Sequence, residues 1–588
     1  MVLRPRMETC VQLQRIVMPC RALAAFVGFF AVAIGWVSGA AAGPRPVTFT
    51  RDVAPLLYRH CAPCHRPGES APFALLTYAD ARKRAETIID VTARRHMPPW
   101  LPGPGQHGFV GDRRLGEAEI AMFRRWSEDG LREGDAKDLP EMPQWNGGWE
   151  LGEPDLVLQL PVPFTLPADG RDIYRNLVLP VPGGSNRYVR AMQFRPGSRA
   201  VHHAFLLVDK SGNSRAKDAK DPEPGFPGLD LPEGTESPGG HFLSWQPGRG
   251  SYRSPLGLAW TLPAGADVVV QLHLQPIGRP ERVAPLIGLY FTDRPPEREF
   301  FKLGLTSLAI DIPPGAADHV VEDSFTLPVA TSVLGINPHC HYLGKDLRGF
   351  AVLPDGTTNH LLHIPRWDFN WQGDYRYAQP VELPRGTRLV MRFTFDNSAS
   401  NPRNPDKPPK RVRYGMQTTD EMAELWLQLL PKNPGDLEAL REAYAPKALR
   451  EIVTYQEYRL RLDPDDAHAH GRLGVAKLHL GDFTAGAAQL RTAIRLDPAD
   501  EYAHFNLGIV HQEQKDAAAA EREFAEAVRL NPKNAQAHGS LGIALGERGD
   551  LAGAERHLRE ALRLAPDDST AREVLDQVVK LRAAAKKP

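Results

Sequence analysis

Cysteine is scarce in this chain, with 5 residues among 588. So few thiols cannot build the disulfide framework of a small exported scaffold, so hydrophobic cores must hold the domains together. An excess of charge of one sign is also lacking, since 71 Lys and Arg balance 71 Asp and Glu. This balance, without any basic run, excludes the electrostatic footprint of a nucleic-acid-binding protein. A chain of this length exceeds one hydrophobic core and is expected to form several domains.

Long apolar runs are lacking except near the N-terminus. Four arginines precede an apolar stretch from Ala22 to Trp36, and small residues follow as far as Ala42. This order predicts an export signal over residues 1–42, cleaved after Ala42, and therefore a periplasmic or otherwise exported protein. The alternative is an uncleaved membrane anchor, because residues 22–42 are just long enough to span a bilayer. Both alternatives place the rest of the chain outside the cytoplasm.

Two cysteines stand in Cys61-Ala-Pro-Cys64-His65, the C-x-x-C-H signature of covalent haem attachment. Two thiols on one helical turn can add to the two vinyl groups of a haem, and the adjacent histidine can bind the iron. A zinc site is the main alternative to haem attachment. Such a site needs a second pair of ligands at suitable spacing, and none is obvious nearby. The sequence therefore predicts one covalent haem c within an all-α domain of residues 45–140.

The second axial ligand of the iron is predicted to be Met97, in Arg95-His-Met-Pro-Pro-Trp. This stretch resembles the distal methionine segment of class I cytochromes c, and a thioether ligand raises the reduction potential as an electron carrier requires. His96 is the competing ligand, and a purely structural role in the core is the other alternative for Met97. Apolar residues at helical spacing predict that a helix over residues 115–130 closes the domain.

From Trp149 onward the pattern changes to short alternating strands broken by proline and glycine, as in a β-sandwich. Histidines are concentrated at a few places in this region. His202 and His203 are adjacent, and neighbours in a regular strand point in opposite directions. Their convergence on one ion therefore requires a β-bulge or the use of different ring nitrogens. His273 closes a later strand.

A second group contains His339 and His341, which share a face of a strand while Cys340 points away. Met422 follows further along the chain. Imidazoles combined with a thioether suit copper, particularly Cu(I), better than metals that prefer carboxylates. An H-x-H pair alone, however, is also typical of solvated or core histidines.

The order of these segments resembles the copper type II, ascorbate-dependent monooxygenases, the group that contains peptidylglycine α-hydroxylating monooxygenase and dopamine β-monooxygenase. The segments that carry the resemblance are Ala200-Val-His-His-Ala-Phe-Leu-Leu-Val, Val270-Gln-Leu-His-Leu-Gln-Pro, Pro338-His-Cys-His-Tyr-Leu-Gly-Lys and Asp420-Glu-Met-Ala-Glu-Leu-Trp. The resemblance implies two all-β jelly-roll domains, over residues 148–295 and 296–430, with one copper ion in each. It implies that His202, His203 and His273 bind an electron-storing copper. It implies that His339, His341 and Met422 are catalytic and bind the copper that activates dioxygen.

Three departures from the family concern its substrate and its disulfides. Asn337 stands where the peptide-amidating members have an arginine, and Trp426 stands where they have a tyrosine. The two domains contain Cys340 alone, whereas the animal enzymes are rich in disulfides. The resemblance therefore implies the copper chemistry, but not peptidylglycine as the substrate.

The last region repeats with a period of 34 residues. The recurring positions are Pro464, Pro498, Pro532 and Pro566; Gly474, Gly508 and Gly542; Leu473, Leu507 and Leu541; and Ala493, Ala527 and Ala561. This is the tetratricopeptide pattern, which predicts an α-solenoid over residues 435–586 that binds a protein partner. His470, His504 and His538 recur at the same period and are either repeated packing residues or a metal or proton ladder.

Together these features predict a multidomain, exported, haem- and copper-dependent monooxygenase-like enzyme. The cytochrome is expected to pass electrons to two copper ions, which use dioxygen to hydroxylate a C–H bond of an unknown small-molecule or peptide substrate. The alternative is a non-catalytic haem and copper protein for electron transfer or sensing, displayed on a tetratricopeptide scaffold. Membrane attachment is expected only if the N-terminal segment is not cleaved.

Overall fold

The computed structural model describes residues 45–67, 69, 71–144, 148–229, 231–232, 234–255 and 257–584. The predicted export signal, residues 1–42, lies outside these described residues. The chain divides into a unit Met1–Pro46 and a unit Val47–Pro588. Within the described residues, every helix is too short or too polar to cross a bilayer. All helices and strands described for this chain belong to the second unit.

The N-terminal part of this unit is helical. Its elements are a π-helical turn Phe49–Val53, α1 Ala54–His60, α2 Tyr78–Lys83, α3 Ala85–Ala93, α4 Glu117–Glu128 and a 3-10 turn Ala136–Asp138. Thr77 and Asp80 form a reciprocal capping box that fixes the start of α2. The helices enclose an apolar core that includes Val53, Leu57 and Phe123. Helix α4 lies within the stretch 115–130 that the sequence predicts to be helical.

The first strand region forms two main antiparallel sheets and one further sheet of two strands. Its elements are β1 Leu156–Gln159, β2 Phe164–Leu166, β3 Ile173–Pro180, β4 Arg187–Arg195, β5 Val201–Asp209, α5 Asn213–Asp218, β6 Phe226–Pro227, β7 Thr235–Glu236, a 3-10 turn Pro238–Gly240, β8 Ser244–Trp245, β9 Tyr252–Arg253, β10 Trp260–Leu262, β11 Asp267–Leu274, β12 Glu281–Val283 and β13 Leu286–Thr292. One sheet has the order β1-β13-β4-β10 and the other the order β6-β3-β11-β5-β7. Inward-facing residues of both sheets form one core, as in a sandwich.

The second strand region repeats this two-sheet arrangement. Its elements are β14 Phe301–Thr306, β15 Asp311–Ile312, β16 His319–Thr326, β17 Thr331–His339, β18 Gly344–Val352, β19 Thr358–Ile364, a 3-10 turn Phe369–Trp371, β20 Tyr375–Leu383, β21 Arg388–Phe395, β22 Val412–Arg413 and β23 Glu424–Pro431. The two main sheets have the orders β14-β23-β17-β20 and β16-β21-β18-β19. They share one apolar core. The middle of the chain is therefore β-rich.

The C-terminal part is a stack of helices. They are α6 Asp436–Leu462, α7 Ala467–His479, α8 Phe483–Leu496, α9 Glu501–Glu513, α10 Ala517–Leu530, α11 Ala535–Glu547, α12 Leu551–Leu564 and α13 Ser569–Ala584. The recurring glycines mark where paired helices cross. A Cβ on Gly508 would lie 2.6 Å from the ring of Phe524, and a Cβ on Gly542 would lie 2.7 Å from Leu558. Only glycine allows so close an approach.

Helix α6 joins this stack to the second sandwich. Tyr444 donates a hydrogen bond from its hydroxyl to the carbonyl oxygen of Gly304 over 2.9 Å. Lys447 forms a 2.5 Å ion pair with Asp323 in β16. Leu440 is fully buried in the core of the sandwich. The first helix of the stack therefore packs directly on the second sandwich.

Candidate haem and metal sites

Three histidines of the first sandwich meet at the end of one sheet, and we call them the first cluster. His202 and His203 lie on β5 and His273 lies on the neighbouring strand β11. The pairing of the two strands is regular up to His273 opposite His203, and then shifts so that Leu274 lies opposite Val201. His202 is the extra residue of this β-bulge, and the bulge turns its side chain toward that of its neighbour. The sequence required such a bulge, or different ring nitrogens, for the two rings to converge.

All three rings of the first cluster bring one nitrogen into a small space. Nδ1 of His202 lies 3.2 Å from Nδ1 of His273 and 3.3 Å from Nδ1 of His203. In each of the three residues, one possible ligand atom lies within 4.8 Å of those of the other two. Among the described residues, this is the one group of three or more His, Cys, Asp or Glu side chains that comes so close together. Nitrogens bound tetrahedrally to one ion are about 3.3 Å apart at the usual metal–nitrogen distance. The spacing therefore fits three ligands of one ion.

The first cluster is held in the neutral form that metal ligands need. Burial lowers the pKa of His202 to about 4 and the pKa of His203 well below its ordinary value, and His273 lowers both further. Nε2 of His273 lies 2.8 Å from a carboxylate oxygen of Asp172, which can only accept the hydrogen bond. The proton of His273 is therefore on Nε2, and the lone pair of Nδ1 faces the other rings. The ring of Tyr174 stacks on His273 at 4.5 Å.

The histidines of the second sandwich form what we call the second pair. His339 ends β17 and His341 follows two residues later, with ring centroids 5.3 Å apart. Nδ1 of His339 lies 2.6 Å from the side-chain oxygen of Gln372, and Nδ1 of His341 lies 3.1 Å from the carbonyl oxygen of Asp420. Both acceptors fix the proton on Nδ1, so Nε2 of each ring carries the lone pair. The second pair therefore offers the opposite nitrogen from the first cluster.

A buried carboxyl group connects the backbone of Met422 with that of His341. The Glu421 side chain accepts hydrogen bonds from the backbone N–H groups of His341, Leu343 at 3.0 Å and Met422 at 3.2 Å. Burial raises the pKa of this carboxyl group to about 8. Met422 itself is 8% exposed and belongs to the apolar core. The structure thus brings the backbone of Met422 to His341.

Cys340, between the two histidines, is fully buried in the apolar core, and a Cβ on Gly344 would lie 2.4 Å from its sulfur. The Trp367 indole N–H donates to the carbonyl oxygen of His341 over 3.0 Å. Among the described residues Cys340 is a free thiol.

One aromatic ring lies near both groups of histidines. The ring centroid of Phe369 is 6.3 Å from that of His202, 5.7 Å from that of His341 and 6.4 Å from that of His339. The first cluster and the second pair are thus no further apart than the sum of two such distances. Tyr342 also packs on Phe369, at 4.9 Å.

The C-x-x-C-H motif forms one turn after helix α1. The backbone N–H of His65 donates to the carbonyl oxygen of Cys61 over 2.8 Å, and both Cys61 and Cys64 are free thiols. Burial raises the pKa of Cys61 to about 12 and also raises that of Cys64. Nδ1 of His65 lies 3.1 Å from the carbonyl oxygen of Phe73, so Nε2 keeps its lone pair. Two neighbouring thiols and an oriented imidazole fit covalent haem attachment.

Met97 is described by the cavity that it lines. It lines a cavity of about 610 Å³ together with Thr92, Leu115 and Ile120, and the residues around this cavity do not include Cys61, Cys64 or His65. The ring of His96, the competing ligand, packs edge-on against Trp371 at 6.1 Å. The described contacts therefore bring together the three residues of the motif, while the ligand role of Met97 stays a prediction.

Four residues that the sequence did not single out support the histidines: Asp172, Phe369, Gln372 and Glu421. Asp172 and Gln372 reach the rings only through the pairing of distant segments, so no local pattern indicates them. Glu421 is the exception, because it directly precedes the predicted ligand Met422.

Comparison with known proteins identifies the C-terminal stack. The tetratricopeptide repeat family model matches residues 437–501 and 505–569. This segment consists of tetratricopeptide repeats. Solved structures similar to it include the first tetratricopeptide domain of Spaghetti (RPAP3) bound to the HSP90 peptide SRMEEVD, which is 21% identical, with a TM-score of 0.20, over 21% of this chain and 96% of that chain. The crystal structure of MamA is 19% identical, with a TM-score of 0.21, over 25% of this chain and 80% of that chain. No curated protein matches the chain.

The recurring histidines of the tetratricopeptide repeats each bond to the second helix of their own repeat. Nδ1 of His470 lies 2.6 Å from Gln489, that of His504 lies 2.7 Å from Glu523, and that of His538 lies 3.0 Å from Nδ1 of His557. Nε2 of His470 and of His538 lies 3.0 and 3.2 Å from the carbonyl oxygen of a repeated proline. These bonds support the packing alternative for the three histidines over a ladder.

Proposed function

We propose that this protein is an exported, haem- and copper-dependent oxidoreductase of the monooxygenase type, attached to a tetratricopeptide scaffold that binds a protein partner. The observation that carries the proposal is the convergence of three Nδ1 atoms at the spacing of ligands around one ion. Buried, neutral imidazoles with no acidic ligand among them favour copper over magnesium, calcium or manganese. The resemblance of the four histidine- and methionine-bearing segments to the copper type II monooxygenases agrees with this choice.

The proposed copper ligands fall into two groups, and each group would hold one metal ion. His202, His203 and His273 would hold one copper ion, and Asp172 orients the third ring. His339, His341 and Met422 would hold the other, with Glu421 keeping the two segments together. Copper in these places supplies the one-electron steps that dioxygen activation needs. Burial keeps the imidazoles of His202 and His341 unprotonated, because it lowers the pKa of His202 to about 4 and the pKa of His341 to about 3.

Cys61, Cys64 and His65 would hold the haem, and Met97 is proposed as the second axial ligand. Phe73 fixes the orientation of the His65 ring through its carbonyl oxygen. Haem bound in this way supplies an electron store next to the β-regions. The proposed path of electrons into the copper centres therefore needs no mobile carrier.

A metal analysis of protein matured in a haem-attaching, copper-replete periplasm tests this proposal. We expect one haem and two copper ions in each chain. His273→Ala and His341→Ala should each lose one copper ion and keep the haem, whereas the exposed residue His479, changed to alanine, should lose neither. Substrate-dependent oxygen consumption that is lost in Met422→Ala, with haem intact, supports the enzyme. Copper stoichiometry near zero in the wild type would reject it.

A second candidate function is electron transfer or sensing without catalysis, and Phe369 favours it. Its ring lies near one histidine of each group, at 6.3 Å from His202 and 5.7 Å from His341, and so takes up space beside both proposed metal centres. Phe369→Ala opens this space. If oxygen consumption with a panel of compounds is absent in the wild type and in Phe369→Ala, while both copper ions are bound, the non-catalytic alternative is correct.

A further inference from the structure

Helix α6 contacts the second sandwich at two places along its length. In its first half, the ring of Tyr444 packs edge-on against two phenylalanines, one in β14 and one in β16, at 5.5 Å from each. In its second half, Tyr455 and Tyr458 pack edge-on against Tyr414, at 6.4 and 5.2 Å. The tetratricopeptide match begins at residue 437, so one helix of the repeat array makes both contacts.

A short loop, residues 413–417, contacts both α6 and the segment that leads into β23; we call it the supporting loop. Its Tyr414 is the residue on which α6 packs. The backbone N–H of Glu421 donates to the carbonyl oxygen of Arg413 over 3.1 Å, and the carbonyl oxygen of Glu421 accepts from the N–H of Gly415 over 3.3 Å. The backbone of Glu421 is therefore bonded to both neighbours of Tyr414.

Asp420 is bonded to the same loop. Its backbone N–H donates to the carbonyl oxygen of Gln417 over 2.9 Å, and its carboxylate accepts from the N–H of Gln417 over 3.1 Å. A Cβ on Gly415 would collide with this carboxylate, so only glycine lets the loop come so close. The carbonyl oxygen of Asp420 is the acceptor for Nδ1 of His341. The supporting loop therefore sets the place of the group that orients this ring.

The main strand pairing of the sandwich ends before it reaches this segment. The ladder between β17 and β23 stops at His339 opposite Glu424, so Asp420 and Glu421 lie outside it. The supporting loop follows β22, a strand of two residues, and is thus itself weakly anchored in a sheet. Tyr414 is only 7% exposed because the rings of α6 help to cover it. Packing on α6 is therefore a main support of the loop.

The same stretch of α6 is also joined to the next helix of the array. Directly before Tyr458, Glu457 forms a 3.3 Å ion pair with Lys477 in α7. Directly after it, Arg459 forms a 2.6 Å ion pair with Asp466, whose side chain caps the start of α7. The turn of α6 that packs on the supporting loop is therefore the turn that holds α7.

We infer that α6 positions the second metal centre, with Tyr458 as the positioning residue. Its ring holds the supporting loop, and the loop in turn holds the carbonyl oxygen that orients His341 and the carboxyl group that binds the backbone of Met422. The tetratricopeptide array and this centre are therefore coupled through one helix, and by linkage a partner that displaces α6 weakens copper binding there. This inference rests on the proposed function.

Copper binding to the second pair alone tests the inference. The parent is full-length His273→Ala protein, in which the first cluster has lost a ligand. We expect Tyr458→Ala to lower the copper affinity of the second pair about tenfold, the effect of losing an outer support of a metal ligand, and to change the cupric spectrum. Tyr458→Phe keeps the ring and should restore both. Tyr458→Leu, which keeps an apolar side chain in the contact, should shift both in the same direction by less and serves if the alanine variant does not fold.

Tyr444→Ala is the matched control. It removes a ring of the same kind from the same helix, at the contact with β14 and β16 rather than at the supporting loop. It should leave the copper affinity and the cupric spectrum of the parent unchanged. An unchanged centre in the Tyr458 variants, or an equal change in Tyr444→Ala, would overturn the role of Tyr458, and the proposed function would survive.

Hydrogen exchange in copper-free protein separates the inference from the proposed function. The backbone N–H groups around Glu421 exchange at a rate that local opening sets. We expect Tyr458→Ala to speed exchange several-fold in peptides that cover residues 412–423, and Tyr444→Ala to leave it unchanged. Faster exchange in both variants, or in neither, would overturn the inference whether or not copper binds. A His273→Ala parent that binds no copper would instead overturn the proposed second centre.

Discussion

The first cluster and the second pair hold their imidazoles by different means. The first cluster is built into the sheet, since its three histidines lie on two hydrogen-bonded strands and a bulge sets their convergence. The second pair begins where β17 ends, and hydrogen bonds to Gln372, Asp420 and Glu421 from distant loops hold it. The geometry of the first cluster therefore follows from the strand pairing of the sandwich. The geometry of the second pair depends on individual side chains and is open to loss by single substitutions.

The largest difference in stability between the two groups is expected when each loses the carboxyl group that supports it, which is Asp172 for the first cluster and Glu421 for the second pair. Glu421→Ala leaves three backbone N–H groups without an acceptor in the core. We expect it to lower the free energy of unfolding by about 3 kcal/mol or more, since each of three buried unsatisfied donors costs at least about 1 kcal/mol. Asp172→Ala should cost only about 1 kcal/mol, because this carboxylate is 42% exposed and water can replace it.

Urea unfolding of the metal-free protein measures both changes. Glu421→Gln keeps one acceptor oxygen and should fall between the wild type and Glu421→Ala. Equal losses in Glu421→Ala and Asp172→Ala would contradict the distinction between a group supported by strands and one supported by side chains.

The parts of the molecule also differ in how much of their structure the sequence predicts. The 34-residue period was sufficient to predict the tetratricopeptide repeats, because each repeat packs on its neighbour through the same glycines and alanines. Convergence of two adjacent histidines required either a bulge or different ring nitrogens, and the structure has the bulge at His202. Gln372 and Phe369, by contrast, lie in a loop without periodicity, and Asp172 approaches His273 only because β3 pairs with β11. Contacts that arise from the pairing of distant segments leave no local pattern in a single sequence.

A change of pH is expected to have an intermediate effect on stability, through the buried histidines of the first cluster. The folded pKa of His202, about 4, lies below the unfolded value of about 6.5. The unfolded chain therefore binds this proton first as the pH falls, so stability is present above about pH 6.5 and is lost as the pH falls toward 4. Between pH 7 and pH 5 the loss is about 2 kcal/mol for one such histidine.

Unfolding of the metal-free protein at pH 7 and pH 5 measures this loss. In His202→Asn the difference in stability between the two pH values should shrink by about 2 kcal/mol. His479→Asn, at an exposed position, should leave the difference unchanged. A wild-type protein that is equally stable at both pH values would contradict a buried, neutral first cluster.

The smallest effect is expected from a change that keeps the shape of Asp172 and removes its charge. In Asp172→Asn the amide oxygen can still accept from Nε2 of His273, so the ring keeps its orientation and stability should change by less than about 0.5 kcal/mol. The imidazole becomes a weaker base without the carboxylate, and copper affinity of the first cluster should fall about tenfold. Titration with a competing chelator, monitored by the cupric spectrum of His341→Ala protein, isolates this one centre. An unchanged copper affinity in Asp172→Asn would mean that strand pairing alone sets the copper affinity of the first cluster. The first cluster would then differ from the second pair even more than proposed, because the second pair depends on individual side chains.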